Sequence, residues 1–238
     1  MLAALEVSTR ICSVALLDMM SGEVVNELAL PGEMESSQTL LPAVEEMLKR
    51  RQLTPADLAA VAVAVGPGSF TGIRVGLSTA QGLCLPGKIP AYGISTLDGL
   101  AENLREGGWE GETLALVDAQ RGECFVGHYQ VGTDSFEMLD VPKVMAPSQF
   151  GSVISGRVWI VGPGALKHEK AIREALGAQA MFAMTAFHQP QAASIARLAY
   201  KRWQAGERPA AEDLQPLYLR PPAVEEKQEP APSDPTTT

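Results

Sequence analysis

The sequence predicts an α/β protein of two lobes, and three observations carry that reading. Apolar runs at residues 1–7, 12–18 and 23–30 are joined by short turns at Ser8-Thr9-Arg10 and Ser21-Gly22, which makes them antiparallel neighbours. The run Ala60-Val61-Ala62-Val63-Ala64-Val65 is apolar on both faces, the pattern of a central strand covered on both sides. Beyond a glycine-rich joint, Gly107-Gly108-Trp109-Glu110-Gly111, the strand pattern begins again.

Taken in order, the three opening strands lead to an amphipathic helix in which Leu40, Leu41, Val44, Met47 and Leu48 recur at helical spacing, with Ser36 or Ser37 as candidate N-cap. A short capped segment, Thr54-Pro55-Ala56-Asp57-Leu58, precedes the central strand. A glycine loop follows, then a helix over 73–83, a strand over 90–94 and a helix over 96–105. The order is βββαβαβα. After the joint come strands at 113–117 and 124–131 around a turn at 118–122, a buried strand at 158–161, and helices at 167–176 and 192–204. The expected division is a first lobe at 1–106, with helix 192–204 packing back on it, a second lobe at 107–220, and a tail at 221–238 too rich in Pro, Glu and Thr to bury a core.

Composition narrows the function. Hydrophobic residues make up 46% and aromatic ones 5%, so the core is expected to be aliphatic. The net charge is -9, opposite to the basic face of a protein that grips phosphate backbones, so direct, tight RNA binding is not expected. In the tail Glu225, Glu226, Glu229 and Asp234 against Lys227 leave -3, hence -6 for the rest. No apolar run reaches the roughly 18 residues of a membrane span, and the first residues lack a leader pattern, so a cytoplasmic protein is expected. Cys12, Cys84 and Cys124 sit in apolar segments and read as buried thiols, with no histidine nearby in sequence to activate them. His128, His168 and His188 lie 40 and 20 residues apart, without metal-ligand spacing, and read as surface or singly bonded histidines.

The sequence Gly66-Pro67-Gly68-Ser69-Phe70-Thr71-Gly72-Ile73-Arg74 joins the buried strand to its helix. Such a turn can offer backbone N–H groups to an anion, but it has neither the Lys-Ser/Thr ending of a phosphate-binding P-loop nor the spacing of a dinucleotide fingerprint. Gly72, Gly76, Ala80 and Cys84 recur every four residues and form a stripe that another helix can approach closely. Helix 36–50 and a partner chain are equally good occupants of that stripe.

The stretch Gly66–Leu77 resembles the signature of the TsaB (YeaZ) family, supported by Leu5-Glu6-Val7-Ser8-Thr9, Tyr92-Gly93-Ile94-Ser95-Thr96-Leu97, Val117-Asp118-Ala119-Gln120-Arg121-Gly122-Glu123 and Pro216-Leu217-Tyr218-Leu219-Arg220. The resemblance covers residues 1–220. It implies an actin-like, ribonuclease-H-like fold, with a mixed five-stranded sheet flanked by helices in the first lobe and a reduced second lobe. It also implies a non-catalytic subunit that pairs with TsaD and works with TsaE to place a threonylcarbamoyl group on the adenosine beside the tRNA anticodon. The surface it implies, shared with TsaD or in a homodimer, carries Leu40, Leu41, Val44, Leu48, Ile73, Arg74, Gly76, Leu77 and Ala80.

The same resemblance implies a vestigial nucleotide site, for ATP or ADP between the lobes, at Glu6, Ser8, Gly68, Asp118, Gly162 and Gly164. Two departures bear on it: the first strand ends in Glu6-Val7-Ser8 where the family has Asp-Thr-Ser, and Ser36-Ser37 stands where it has His-Ser. An actin-like kinase would need Asp118 followed by a phosphate-cradling turn, whereas Ala119-Gln120-Arg121-Gly122 follows. A glycopeptidase-like metalloprotein would need a histidine cluster. No complete nucleophile, base pair or metal set can be assembled, so neither a cofactor nor a metal is expected.

Overall fold

A computed structural model describes residues 1–30 and 36–220, and of residues 36–38 the backbone alone. The expectations for the tail and for a cap or departure at Ser36-Ser37 therefore lie outside the described side chains. The first sheet has the order β3-β2-β1-β4-β5, from β1 (Leu2–Glu6), β2 (Cys12–Leu17), β3 (Val24–Leu30), β4 (Ala60–Gly66) and β5 (Ala91–Ser95). β1 pairs antiparallel with β2 and parallel with β4, so the sheet is mixed. The second sheet has the order β10-β9-β6-β7-β8, from β6 (Gly111–Asp118), β7 (Cys124–Val131), β8 (Phe136–Met145), β9 (Val158–Val161) and β10 (Ala180–Phe182). β6 pairs antiparallel with β7 and parallel with β9, so the second sheet repeats the first, strand for strand.

The reduction of the second lobe lies in its helices. In place of the 15-residue α1 (Ser36–Arg50) stands a six-residue 3-10 turn, Pro147–Ser152. In place of the 15-residue α2 (Phe70–Cys84) stand α4 (Pro163–Lys167) and α5 (Glu169–Leu176). The single helix expected over 167–176 is thus interrupted at His168, whose backbone leaves the helical region (φ -108, ψ 17) while its ring reaches Asp118. Strand β8 gave no alternating signal: Pro142 interrupts it, and its register against β7 is irregular. It lies at the sheet edge, where a proline costs no ladder bond.

The remaining helices cross over. α3 (Thr96–Glu106) follows the first sheet in sequence but buries Leu97, Leu100, Ala101 and Leu104 against Ala115, Val117, Tyr129 and Val161 of the second. α6 (Ala192–Gln204) follows the second sheet but buries Ile195, Ala196 and Ala199 on Leu2, Ala4, Ala62 and Tyr92 of the first. Where the two helices meet, the wholly buried Glu102 carboxylate accepts from both Arg105 Nε and Nη2, at 2.8 Å each, and from Lys201 Nζ at 3.1 Å. Asn103 adds a bond from Ser194 Oγ at 2.6 Å. A buried carboxylate with this many donors is compensated, and removing its cations would leave a charge stranded in the joint.

The opposite face of the first sheet is covered by α1 and α2, and here the small-residue stripe finds its occupant. A Cβ on Gly76 would lie 2.3 Å from Val7 Cγ2 and 3.1 Å from Val63 Cγ2, and one on Gly72 would lie 2.2 Å from the Val7 carbonyl oxygen. The stripe therefore faces the chain's own β1 and β4, neither helix 36–50 nor a partner. Leu40, Val44, Leu48, Ile73, Gly76, Leu77 and Ala80, all expected at a shared surface, belong instead to the buried cluster between α1, α2 and the sheet. Helical periodicity identified the apolar side of each helix correctly, but that side is consumed by the sheet. Of the nine residues expected there, Leu41 and Arg74 are exposed.

Two glycines of α2 separate these effects. Gly76→Ala should destabilise the fold by about 1–3 kcal/mol through overpacking against Val7. Gly82→Ala has nothing within 4 Å of the new Cβ and should be stabilising by about 0.5–1 kcal/mol through helix propensity. Urea unfolding of the two variants checks this pair of opposite signs.

Candidate functional site

The glycine loop is built against the turn that ends β1. Ser69 N–H donates to the Ser8 carbonyl at 2.7 Å, and Ser69 Oγ accepts from Gly72 N–H at 3.2 Å as the N-cap of α2. A Cβ on Gly68 would sit 2.1 Å from the Ser8 carbonyl oxygen. The loop needs glycine because two stretches of backbone touch, and the Ser69 N–H that a phosphate would need is already spent on Ser8.

Beneath that turn lies Glu6, fully buried, its Oε1 accepting from Ser8 N–H at 2.7 Å and from Ser8 Oγ at 2.5 Å. Oε2 has no partner. Burial pushes the carboxyl up to about 7, with the two Ser8 bonds pulling the other way. Protonation below about 7 removes the charge that burial penalises.

A cleft of ≈ 1790 Å³ separates the lobes, walled by the β1–β2 turn and glycine loop on one side and by the β6–β7 turn and the start of α4 on the other. Glu6 does not line it. Asp118 does, but Lys167 Nζ donates to its Oδ2 at 2.6 Å and the His168 ring bonds its Oδ1 at 3.0 Å. Burial alone would raise the Asp118 carboxyl, yet the bonds from Lys167 and His168 hold it below the usual carboxylate range. Gly162 and Gly164 form a strand-to-helix turn: a Cβ on Gly162 would meet the Leu116 carbonyl oxygen at 2.2 Å, and one on Gly164 would meet Leu116 backbone at 3.0 Å. Of the six residues expected at a nucleotide site, then, Glu6 and Ser8 bond each other, Asp118 is held by its own lobe, and Gly68, Gly162 and Gly164 abut backbone. These residues do not fit a metal-bound triphosphate. Among the described residues no group of three or more His, Cys, Asp or Glu could hold a metal ion.

The histidines and cysteines are structural as well. His188, expected to be singly bonded, is buried and bonded at both nitrogens: Nε2 faces the Ala183 carbonyl at 3.0 Å and so donates, leaving Nδ1 to accept from Gly162 N–H at 3.1 Å. His128 bonds Glu112 at 2.8 Å. All three cysteines are buried, and burial raises the thiols, to about 11 for Cys84 and about 12 for Cys124. Raised thiols of this kind hold little thiolate at neutral pH.

What remains outward is the solvent side of α1 and α2. Leu41 and Phe70 are each 41% exposed and Leu85, just past α2, is 72% exposed. The Arg74 guanidinium carbon lies 3.8 Å from the Phe70 ring centroid, Tyr218 stacks on Phe70 at 5.5 Å, and Arg74 Nε donates to the Tyr218 hydroxyl at 3.3 Å. This ordered cation–aromatic cluster was not singled out from sequence. Phe70 and Arg74 at i and i+4 of one helix carry half of its signal, but Tyr218 is 144 residues from Arg74 and no local pattern joins them.

The Glu6 environment sets a pH dependence. A folded-state value near 7 against an ordinary 4.5 means that the folded state holds the proton more tightly, so stability is highest below about 4.5, falls between about 4.5 and 7, and is flat beyond. The total loss should be of order 3 kcal/mol. Glu6→Gln keeps an acceptor for Ser8 and cannot ionise, so unfolding free energies measured across that range should lose this slope, and the variant should match or exceed the parent at pH 8.

The family model described as TsaD, tRNA N6-adenosine threonylcarbamoyltransferase, matches residues 33–228. The chain is 29% identical over 183 residues to the tRNA threonylcarbamoyladenosine biosynthesis protein TsaB of Bacillus subtilis, a match covering 76% of this chain and 77% of that protein. It is 37% identical over 127 residues to TsaB of Escherichia coli, where the match covers 53% of this chain and only 54% of the relative. Among solved structures, YeaZ from Pseudomonas aeruginosa superposes with a TM-score of 0.78 at 26% identity, covering 92% of this chain and 99% of that one. Sequence, sheet order and superposition agree: the chain belongs to the TsaB (YeaZ) family of tRNA threonylcarbamoyladenosine biosynthesis proteins, on a two-lobed actin-like fold.

Proposed function

We propose that the chain is a non-catalytic partner subunit that docks a TsaD homologue through the outer faces of α1 and α2, and with a TsaE homologue supports transfer of a threonylcarbamoyl group to the adenosine next to the tRNA anticodon. The observation that carries this reading is the fate of the two carboxylates that nucleotide chemistry would need: Glu6 lies under Ser8, and Asp118 is bonded to Lys167 and His168. Both carboxylates held inside the chain support a reading in which the partner carries the chemistry.

The docking face is supported by its composition. Leu41, Phe70 and Leu85 are exposed apolar groups on two adjacent helices, and the Arg74–Phe70–Tyr218 cluster presents an aromatic surface and a cation in fixed geometry. Such preorganised aromatic and arginine side chains are the usual anchors of an interface. The same face would serve a second copy of this chain, so a homodimer and the complex would compete for it. The acidic net charge of -9 supports tRNA contact through the complex rather than through this chain alone. The cytoplasm, where such a complex meets tRNA, is the proposed location; among the described residues no helix is long and apolar enough to cross a membrane.

A reconstituted transfer assay with TsaD and TsaE homologues tests this. Arg74→Glu and Leu41→Asp change exposed side chains and should weaken TsaD binding about tenfold or more, each by roughly the energy of an interface anchor, with loss of transfer. Asp118→Asn should leave transfer intact. Loss of transfer in Asp118→Asn with TsaD binding preserved would place chemistry in this chain and end the scaffold reading.

A further inference from the structure

The cleft carries a charge pattern that the docking role leaves unused. Four cations, Arg10, Arg121, Lys167 and Arg220, line it against a single carboxylate, Asp118, in a molecule whose net charge is -9. Lys167 is taken up by Asp118, and Arg220 pairs with Glu123 while donating to the Ala119 carbonyl at 2.9 Å. Arg10 and Arg121 are exposed, and no hydrogen bond or ion pair engages either among the described residues. One sits on the β1–β2 turn of the first lobe and the other on the β6–β7 turn of the second, so the two walls of one cleft each present an uncommitted guanidinium.

Both arginines stand on turns that the fold holds in place. The β1–β2 turn is pinned from below by Glu6, which accepts from Ser8 N–H and Oγ, and from the side by Ser69 N–H, which donates to the Ser8 carbonyl. Thr9 Oγ1 donates to the Ile11 carbonyl at 3.2 Å and closes the turn around Arg10. The β6–β7 turn is closed by Ala119 N–H on the Glu123 carbonyl at 2.9 Å and by Glu123 N–H on that of Gln120 at 3.0 Å. At its tip Arg121 is held at φ 52 beside Gln120 at φ 64, a left-handed pair where such hairpin turns ordinarily use Asn-Gly. Backbone strain of this kind collects at ligand clamps.

A guanidinium fork matches two oxygens of one phosphoryl group in geometry as well as charge, so a ligand with two phosphoryl groups can engage both walls. The cation that usually accompanies such a ligand has no carboxylate to hold it here, because Asp118 is bonded to Lys167 and His168 and Glu6 does not line the cleft. Neutralisation of the anion then falls to the arginines. A long polyanion would run from the cleft onto an acidic body, which favours a compact one.

We propose that the interlobe cleft binds a compact diphosphate, inorganic or esterified, without a metal ion, one phosphoryl group on Arg10 and the other on Arg121. The site goes beyond the docking role and does not rest on it.

Isothermal titration of the full chain with inorganic pyrophosphate, in the presence of EDTA, tests this. Binding should be saturable and one-to-one, with Kd below about 1 mM and about tenfold tighter than for orthophosphate, which reaches one wall only. Arg10→Gln and Arg121→Gln should each weaken pyrophosphate about tenfold or more and bring it level with orthophosphate, a pattern that a folding defect would not produce. Arg157→Gln removes an exposed arginine outside the cleft lining and should leave the affinity unchanged. Added magnesium should weaken binding by taking up the charge of the ligand, and a single-stranded RNA oligonucleotide should bind more weakly than pyrophosphate. Failure to saturate by about 10 mM, equal affinities for pyrophosphate and orthophosphate in the parent, or a loss in Arg157→Gln as large as in Arg10→Gln would overturn the proposal. So would a requirement for magnesium or tighter binding of the oligonucleotide.

Discussion

The backbone contact between the glycine loop and the end of β1 is the constraint on which the rest of the structure depends. A Cβ on Gly68 or Gly72 would meet the carbonyl oxygen of Ser8 or Val7 at 2.1 or 2.2 Å, and one on Gly76 would meet the Val7 Cγ2 methyl at 2.3 Å. That contact seats α2 flat on the sheet, which buries Ile73, Leu77 and Ala80 and leaves Phe70 and Arg74 outward. It also fixes the turn under which Ser8 closes on Glu6, and so decides that the first-strand acid faces the core. A loop whose glycines suggest an anion cradle is thus a packing device first, and its functional product is the outer helix face it orients.

The second lobe reaches the same end by different means. Its sheet repeats the first, but its acid at the end of β6, Asp118, stays at the cleft, paired with Lys167 and bonded by the His168 ring across the break between α4 and α5. The two lobes are held by exchanged helices, α3 on the second sheet and α6 on the first, around the buried Glu102 joint. An exchange of this kind ties the cleft walls to both cores.

Much of the fold was legible in sequence because its elements are short and strongly patterned. The both-faces apolar run at 60–65, the opening hairpins and helix 192–204 follow from side-chain periodicity. Strand β8 escaped because Pro142 breaks the period on an edge where the ladder does not need it. The site was less legible. Periodicity shows which side of α1 and α2 is apolar but not whether sheet or partner covers it, so Leu40, Val44, Leu48, Ile73, Gly76, Leu77 and Ala80 were placed on the wrong side of the molecular boundary. Contacts such as Asp118 with Lys167, 49 residues apart, or Arg74 with Tyr218, 144 apart, are tertiary and leave no local mark.

A scaffold role requires that the chain has kept no working metal–nucleotide site of its own. Isothermal titration of the purified chain with magnesium ATP decides this most directly. With Glu6 sealed beneath Ser8 and Asp118 held by Lys167 and His168, no magnesium-dependent binding is expected at millimolar nucleotide. Stoichiometric, magnesium-dependent binding that disappears in Asp118→Asn would show that the cleft carboxylate is available after all, and would contradict the account.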